Sequence, residues 1–309
     1  MSRGTLLYAY QGHSESVWAV AWSPDGRYIA SGSDDATVQV WNALTGGYII
    51  SYTNHESAVY TVAWAPDSMR IASGYSDTTV QVHDIPTGTP LCVYGGHTDR
   101  VRCVSWSPDG KYIASGGYDN TVQVWEAFTG SHALANRVHY GPIGGVAWSP
   151  SGKYITSGSY DASVQVWEAF TGNNISFYKG HTSGVHSVAW SPNGNYIVSA
   201  SDDQTVQVWD AGTGTNICIY RGHVDHKYGT VWAVAWAPSG KYIASGSDDC
   251  TVQIWEADTG KHIYTYEGHR DDRWIRSVAW SPDGTRIVSA GSRLTDWGVD
   301  GVIHVWQAM

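Results

Sequence analysis

Hydrophobic and polar positions along the chain form short runs that are typical of β-strands rather than helices. Val17–Trp22 (VWAVAW) is apolar on both faces, as expected for a strand whose sheet is packed between neighbouring sheets. A Ser-Pro-Asp-Gly segment, which favours a tight turn, separates it from a second β-rich run at 27–33. Two further runs follow at 37–41 (TVQVW) and 47–53 (GYIISYT). Because none of these runs has helical periodicity, the pattern predicts a unit of four short strands.

This unit recurs seven times in one register. A histidine returns at intervals of 42 residues, and finally of 46, at His13, His55, His97, His139, His181, His223 and His269. An aspartate keeps step with it at Asp35, Asp77, Asp119, Asp161, Asp203, Asp249 and Asp300. Six positions after each aspartate stand Trp41, His83, Trp125, Trp167, Trp209, Trp255 and Trp306. Four-stranded units at a period of about 40–45 residues predict a β-propeller in which each unit is one blade.

The chain is therefore predicted to be all-β and to form a single domain over residues 1–309, a seven-bladed β-propeller of four-stranded antiparallel blades. The predicted units are residues 12–53, 54–95, 96–137, 138–179, 180–221, 222–267 and 268–309. Residues 5–11 match the fourth strands, whereas the last unit stops after its third strand. The N-terminal strand is thus predicted to complete the last blade, which closes the ring and removes open sheet edges.

Two dipeptides within the repeats carry a family resemblance. Gly-His occurs at Gly12-His13 and at four later units, and Trp-Asp occurs at Trp209-Asp210. In these motifs the chain resembles the WD-repeat (WD40-type) family over essentially its whole length. Near-identical segments (KYIASG recurs, and WEAFTG occurs twice) indicate recent duplication, which is familiar in bacterial repeat arrays. The second unit departs most from the pattern, with His83, Asn54 and Ser68 at three repeated positions, so we predict that its blade is the least strongly specified.

Each unit also combines a serine, a histidine and an aspartate, the residue types of a hydrolytic triad. The resemblance instead implies a buried structural network at these positions, together with the tryptophan. That network comprises His13, Ser31, Asp35 and Trp41 in blade 1, His97, Ser115, Asp119 and Trp125 in blade 3, and His181, Ser199, Asp203 and Trp209 in blade 5. Seven near-copies favour the structural role, since an enzyme rarely needs seven identical sites. With no metal-ligand spacing, phosphate-binding glycine motif or nucleophile elbow, we expect a non-catalytic protein without metal or cofactor.

The units differ in length on one rim, which we call the variable rim. The turns after the first strands keep a constant length, whereas three insertions fall on the opposite rim, around 225–228, 270–273 and 293–299. Four tryptophans outside the repeated pattern map to the same rim: Trp18, Trp232, Trp274 and Trp297. Insertions within repeats often mark the binding face, so the variable rim is the predicted binding surface.

WD-repeat proteins commonly contact partners through three positions per blade on this rim. Carried over to this chain, and with the insertion tryptophan added, the resemblance implies partner-binding residues Trp18, Asp34, Tyr60, Arg100, Arg102, Tyr118, Tyr160, His186, Trp232, Trp274, Arg276 and Trp297. Trp, Tyr and Arg are the residue types enriched at interface hot spots. Blades 6, 7 and 1 are neighbours in a closed ring, so Trp232, Trp274 and Trp18 are expected to form one arc. The alternative is that these aromatic residues pack the insertions against the ring.

The amino-acid composition narrows the classes of partner and the cellular setting that we expect. A net charge of −10 speaks against a nucleic-acid partner. The sequence has neither an apolar run of about 18 residues nor a secretion signal, so no membrane partner is expected. Four cysteines without regular spacing favour a reducing, cytoplasmic setting. We therefore predict a cytoplasmic, monomeric scaffold that binds a protein or peptide. The alternative is a ligand- or glycan-sensing module of a larger bacterial signalling protein.

Overall fold

A computed structural model describes residues 2–53, 56–223, 229–269, 274–295 and 298–309 of the chain. Its 28 strands form seven four-stranded antiparallel sheets, and no helix occurs in the described ranges. The prediction of an all-β, seven-bladed propeller is therefore confirmed. Within the same ranges, nothing has the length and apolarity of a membrane-crossing helix.

The innermost strand of each blade contacts the innermost strands of both neighbouring blades, so these strands surround a central channel. They are β2 Val17–Trp22, β6 Val59–Trp64, β10 Val101–Trp106, β14 Ile143–Trp148, β18 Val185–Trp190, β22 Val231–Trp236 and β26 Trp274–Trp280. Contact between β26 and β2 closes the ring.

The remaining strands of each blade follow outward. The second strands are β3 Tyr28–Ser33, β7 Arg70–Tyr75, β11 Tyr112–Gly117, β15 Tyr154–Ser159, β19 Tyr196–Ser201, β23 Tyr242–Ser247 and β27 Arg286–Thr295. The third strands are β4 Val38–Asn42, β8 Val80–Asp84, β12 Val122–Glu126, β16 Val164–Glu168, β20 Val206–Asp210, β24 Val252–Glu256 and β28 Gly298–Gln307. The outermost strands are β5 Tyr48–Tyr52, β9 Pro90–Tyr94, β13 His132–Asn136, β17 Asn174–Tyr178, β21 Asn216–Tyr220, β25 His262–Tyr266 and β1 Leu6–Tyr10.

The N-terminal strand completes the last blade, as predicted. Strand β1 pairs antiparallel with β28, with Leu6 opposite Trp306 and Tyr10 opposite Ile303. The last sheet therefore takes its outermost strand from the opposite end of the chain, in the order β1-β28-β27-β26.

The three insertions differ in what the structure describes. The insertion around 293–299 lengthens the β27–β28 hairpin, which stays paired as far as Thr295 opposite Gly298. The insertions around 225–228 and 270–273 lie outside the described residues, and so does Trp297.

Neighbouring blades are joined by a tyrosine that ends the outermost strand. Tyr10, which ends β1 in blade 7, stacks on Trp41 of blade 1 with ring centroids 4.1 Å apart and donates a hydrogen bond to Gln39. The same stacking joins Tyr94 to Trp125, Tyr178 to Trp209, Tyr220 to Trp255 and Tyr266 to Trp306. The junction of blades 3 and 4 departs from this pattern, because Asn136 takes the place of the tyrosine. Its Nδ2 is buried and has no hydrogen-bond partner among the described residues.

Blade 2 shows the substitutions that the sequence predicts to weaken it. His83 is fully buried and packs on Tyr52 with ring centroids 4.3 Å apart. Ser68 adopts a positive φ of 60° at the turn where the other blades have glycine, a conformation that favours glycine. Its hydroxyl also accepts a hydrogen bond from the backbone N–H of Asp25. The lower stability of blade 2 stays a prediction.

Candidate functional site

The histidine of each repeated network lies between a carboxylate and a serine. In blade 1, His13 Nδ1 is 2.8 Å from Asp35 Oδ2 and Nε2 is 2.6 Å from Ser31 Oγ. The other oxygen of Asp35 accepts hydrogen bonds from Thr37 Oγ1 and from its backbone N–H. His13 is 6% exposed and Ser31 is 0% exposed, so no substrate could reach this hydroxyl. The arrangement joins the loop before β2, strand β3 and the turn between β3 and β4.

The same geometry recurs in blades 3 and 5. His97 bridges Asp119 and Ser115, and His181 bridges Asp203 and Ser199, all at 2.8 Å. The tryptophans take part unequally. Trp125 donates its indole N–H to Ser115 at 3.2 Å, whereas Trp41 and Trp209 are buried without a hydrogen-bond partner for Nε1 in the described structure.

The network keeps its carboxylates ionised. Burial alone would raise the pKa of Asp35, but the hydrogen bond and electrostatic interaction with His13, together with the hydrogen bonds from Thr37, outweigh it and lower that pKa to about 2. The same balance holds the pKa values of Asp119 and Asp203 well below the usual range.

In each blade the innermost strand carries a β-bulge after its leading Val or Ile. In blade 1 the pairing with β3 shifts between Val17 and Ala19, which leaves Trp18 as the extra residue. A bulge redirects a side chain away from the regular alternation. The seven bulged residues, which we call the mouth residues, line one end of the channel: Trp18, Tyr60, Arg102, Gly144, His186, Trp232 and Arg276. Together with the strand residues below them they surround a cavity of about 190 Å³.

Arg276 is the centre of the tryptophan arc. Its guanidinium carbon lies 3.9 Å from the ring centroid of Trp232, 4.8 Å from that of Trp274 and 4.9 Å from that of Trp18. These are cation–π distances. Burial is the main reason that the pKa of Arg276 falls to about 10, and the positive charge of Arg102 lowers it further. The arginine still carries its charge at neutral pH.

Arg102 extends the same cluster into blades 1 to 3. Its guanidinium lies 4.9 Å from the ring centroid of Trp18 and 5.8 Å from that of Tyr60. Trp18 and Tyr60 meet edge to face at 5.5 Å. Within the described ranges neither Arg102 nor Arg276 has a carboxylate within 4 Å, and Arg276 Nη1 is buried without a hydrogen-bond partner.

The opposite half of the mouth is closed by internal contacts. His186 is 6% exposed, its ring lies 4.9 Å from that of Tyr160, and its Nε2 is 2.7 Å from Asp202 Oδ1. Blade 4 contributes no side chain, because a Cβ at Gly144 would lie 2.2 Å from the backbone oxygen of Val185. The next blade therefore approaches so closely that only glycine fits.

Asp248 marks the boundary between the two halves. Its Oδ1 accepts a hydrogen bond from Trp232 Nε1 at 2.6 Å. Burial raises its pKa to about 6, although Arg276 and Trp232 oppose the shift. In blade 1, burial likewise raises the pKa of Asp34. The indole N–H of Trp18 partly counters that shift without forming a hydrogen bond of normal geometry.

The structure separates the predicted partner-binding residues into groups. The mouth residues include Trp18, Tyr60, Arg102, His186, Trp232 and Arg276. Asp34, Tyr118, Tyr160 and Trp274 interact with residues of the mouth or with their neighbours. Arg100 is exposed and does not line the channel, and Trp297 lies outside the described residues. The resemblance also places Gly144 among the contact positions of blade 4, and this repeat position carries a larger residue in every other blade.

The described residues contain no group of three or more His, Cys, Asp or Glu side chains placed to hold a metal ion. Seven antiparallel blades, a repeated internal network and an arginine–aromatic channel mouth define a repeat β-propeller of the interaction-scaffold class. The WD40 family (WD domain, G-beta repeat) matches the chain at residues 4–42, 46–84, 88–126, 134–168, 172–210, 214–256 and 260–307. The chain belongs to this family, whose propellers are generally non-catalytic and typically bind protein partners.

Similarity to curated relatives covers single repeats. The chain is 58% identical over 36 residues to the mouse Periodic tryptophan protein 2 homolog, which is 12% of this chain and 4% of the relative. It is 49% identical over 37 residues to the Debaryomyces hansenii Ribosome biogenesis protein ERB1, 12% and 5% of the two chains. It is also 50% identical over 42 residues to Protein Mut11 of Chlamydomonas reinhardtii, 14% and 11%. The matched segments thus span a small part of each relative.

Proposed function

We propose that this chain is a non-catalytic scaffold that binds a protein or peptide partner on its variable rim, with the channel mouth at blades 6, 7 and 1 as the centre of the site. The observation that carries this proposal is the position of Arg276. Its guanidinium is held against Trp18, Trp232 and Trp274, while Nη1 has no hydrogen-bond partner among the described residues. A buried, charged donor of this kind is costly unless a ligand completes its hydrogen bonds.

The charges around Arg276 favour a carboxylate as the anchor of the partner. Planar guanidinium groups bind carboxylates through paired hydrogen bonds, and Arg102 adds a second positive charge. Two of the carboxylates already present are held by other groups. Asp202 accepts hydrogen bonds from His186 and Thr230, and Asp248 accepts one from Trp232. The partner is therefore an extended peptide with an acidic side chain or a C-terminal carboxylate, flanked by apolar residues that pack on the tryptophans.

A peptide library selected on the full chain tests this proposal. We expect enriched peptides to share a carboxylate next to apolar residues. Their affinity is expected to fall at least about tenfold on Arg276→Met or Trp18→Ala, the loss typical of a hot-spot residue. Arg100→Ala is the matched control, because Arg100 lies on the same rim but is exposed and outside the mouth. Peptides that bind both mouth variants normally but lose affinity for the Arg100 variant would place the site elsewhere.

We further propose that the chain works as a cytoplasmic monomer and has no nucleic-acid or membrane partner. The net charge of −10 supports the first exclusion, because proteins that follow phosphate backbones need a basic surface. A role in ligand or glycan sensing is the competing hypothesis.

A further inference from the structure

On the rim opposite the mouth, neighbouring blades are separated by grooves with aromatic walls. Each groove lies between the tryptophan that ends one innermost strand and the residue that begins the second strand of the preceding blade. Between blades 3 and 4 these wall residues are Trp148 and Tyr112, and Phe170 contacts both, with ring centroids 5.9 and 4.8 Å away. The chain thus fills this groove with its own phenylalanine.

The preceding groove is filled in the same way. Phe128 lies 6.3 Å from the ring centroid of Trp106 in blade 3, and the guanidinium of Arg70 in blade 2 stacks on it at 4.4 Å. Both phenylalanines stand three residues after the third-strand tryptophan, a place that we call the covering position. Across the seven blades the covering positions are Leu44, Pro86, Phe128, Phe170, Gly212, Asp258 and Met309.

In the next two grooves the covering residue has no ring. Gly212 leaves open a cavity of about 320 Å³ between Tyr154 and Trp190, at the junction of blades 4 and 5. Asp258 stands beside a cavity of about 170 Å³ between Tyr196 and Trp236, at the junction of blades 5 and 6.

The tryptophans of these two grooves are correspondingly more accessible to solvent. Trp190 and Trp236 are partly exposed. The other five tryptophans at this repeat position are each 7% exposed: Trp22, Trp64, Trp106, Trp148 and Trp280. An isoleucine extends each open groove onto the side of the propeller, Ile175 in the first and Ile217 in the second, both at least 40% exposed. Both open grooves therefore present uncovered aromatic and aliphatic surface beside polar side chains, Asp210 in the first and Lys241 and Asp258 in the second.

We propose that these two open grooves are a second docking surface, and that each takes an aromatic side chain of a partner protein. The equivalent grooves show what fits, because Phe128 and Phe170 occupy the same kind of wall within this molecule. The size agrees as well, since an apolar cavity of about 150 Å³ is large enough to hold benzene. The occupant is a partner segment with two aromatic residues, one for each groove. This surface is separate from the channel mouth, so the scaffold can hold two segments at once.

The first test uses N-acetyl-phenylalaninamide as the probe and the indole N–H resonances of the full chain as the readout. Trp190 and Trp236 donate these protons to the backbone oxygens of Ala147 and Ala189 at 3.1 and 3.2 Å, so their shifts report on the groove walls. We expect saturable shifts of these two resonances in the millimolar range, as for other ligands of this size. N-acetyl-alaninamide should leave them unchanged. Absence of shifts, or equal shifts of all indole protons, overturns the proposal.

Closing and opening the grooves provides the matched variants. Gly212→Phe and Asp258→Phe restore a covering ring, and each should abolish the shift in its own groove. A Cβ at Gly212 meets only Asp210 Oδ1, at 3.6 Å, so the backbone at this position has room for a side chain. Phe170→Gly opens the equivalent groove and should make Trp148 respond to the probe. If the covered variants bind as well as the wild type, the probe lies elsewhere and the proposal is wrong.

A library selection separates this surface from the mouth. Peptides with two aromatic residues should lose affinity for the doubly covered variant, G212F with D258F, at least about tenfold. They should bind Arg276→Met unchanged. If these peptides lost affinity only for Arg276→Met, they would bind at the mouth, which would contradict the proposal of a second docking surface. Concentration-dependent self-association that the double variant removes would instead make a second copy the occupant.

Discussion

Asp248 and Asp249 are consecutive residues with opposite electrostatic environments. Burial would raise the pKa of Asp249, but His223 and Thr251 donate hydrogen bonds to it and hold that pKa below its usual value. The same burial raises the pKa of Asp248 to about 6, because the Trp232 N–H and the charge of Arg276 compensate it incompletely. Asp249 belongs to the repeated network, whereas Asp248 accepts a hydrogen bond from the mouth residue Trp232.

The same contrast appears in blade 1, where the pKa of Asp35 falls to about 2 and that of Asp34 rises. The network position has its own donors from the histidine, the following backbone and a threonine. The preceding aspartate, Asp34 in blade 1 and Asp248 in blade 6, lacks such a set of donors. The carboxylates of the repeated network are thus satisfied within their own blade, whereas Asp34 and Asp248 have too few donors to offset their burial.

The largest effect is expected from removing a network carboxylate. Asp119 accepts hydrogen bonds from His97, from the backbone of Thr98 and from both donors of Thr121. Asp119→Ala removes the shared acceptor of the buried His97 and Thr121 side chains, so the free energy of unfolding should fall by about 3 kcal/mol in urea titrations. Asp248→Ala serves as the control and should change it by less than about 1 kcal/mol. If both variants lost the same free energy of unfolding, the network aspartates and the aspartates that precede them would not differ in structural role.

One mouth position is expected to behave like part of the fold. Gly144→Ala would place a Cβ 2.2 Å from the backbone oxygen of Val185, so the blades must separate locally. Overpacking of this kind costs about 2 kcal/mol, which urea unfolding would detect. Gly95→Ala is the matched control, since its Cβ would meet no atom within 4 Å. A Gly144 variant as stable as the Gly95 variant would show that blades 4 and 5 are less tightly packed than described.

Ring closure and the blade pattern could be predicted because the repeated positions carry the buried contacts. Trp41, for example, is fully buried beneath Tyr10 of the neighbouring last blade. Both residues occupy positions that recur in the repeated sequence. The separation of Arg100 from Arg102 could not be predicted. It depends on a bulge between Val101 and Cys103, which is set by pairing with the next strand and not by the residue types.

The open grooves and the irregular blade 3–4 junction correspond to departures from the repeat that can be recognised in the sequence, but their consequences are seen only in the structure. Gly212 and Asp258 depart from the phenylalanines at their repeat position, but the sequence does not show what those rings cover. Asn136 likewise departs from a column of tyrosines. The energetic cost of this asparagine follows from the structure, in which its buried Nδ2 has no hydrogen-bond partner among the described residues.

Restoring the repeat pattern at this junction should stabilise the fold. Asn136→Tyr would place a ring on Trp167 and a hydroxyl near Gln165, as Tyr94 does with Trp125 and Gln123 in the blade before. We expect a gain of about 1 kcal/mol in thermal or urea unfolding. Asn136→Phe isolates the contribution of the ring and should gain less. A loss of stability in both variants would show that the blade 3–4 junction cannot accommodate the common pattern.

The smallest effect concerns Asp248 and is seen through pH. Because its folded pKa of about 6 lies above the unfolded value of about 4, its contribution to stability is present below pH 4 and is lost as the pH rises through 6. After allowance for solvent screening this amounts to about 1 kcal/mol. Asp248→Asn keeps an acceptor for Trp232 and should remove this decline, so that it matches the wild type at pH 4 and exceeds it at pH 7.

The network aspartates have the opposite sign. Their stabilisation is present above pH 4 and is lost as the pH falls through about 2, the pKa of Asp35. The free energy of unfolding, measured in urea between pH 2 and 7, should therefore depend on pH in the Asp248→Asn variant as in the wild type below pH 4. Between pH 4 and 6 it should decline less in the variant than in the wild type. If the substitution alters the pH dependence below pH 4 instead, Asp248 is coupled to the network, and the mouth carboxylate is structural like its neighbour.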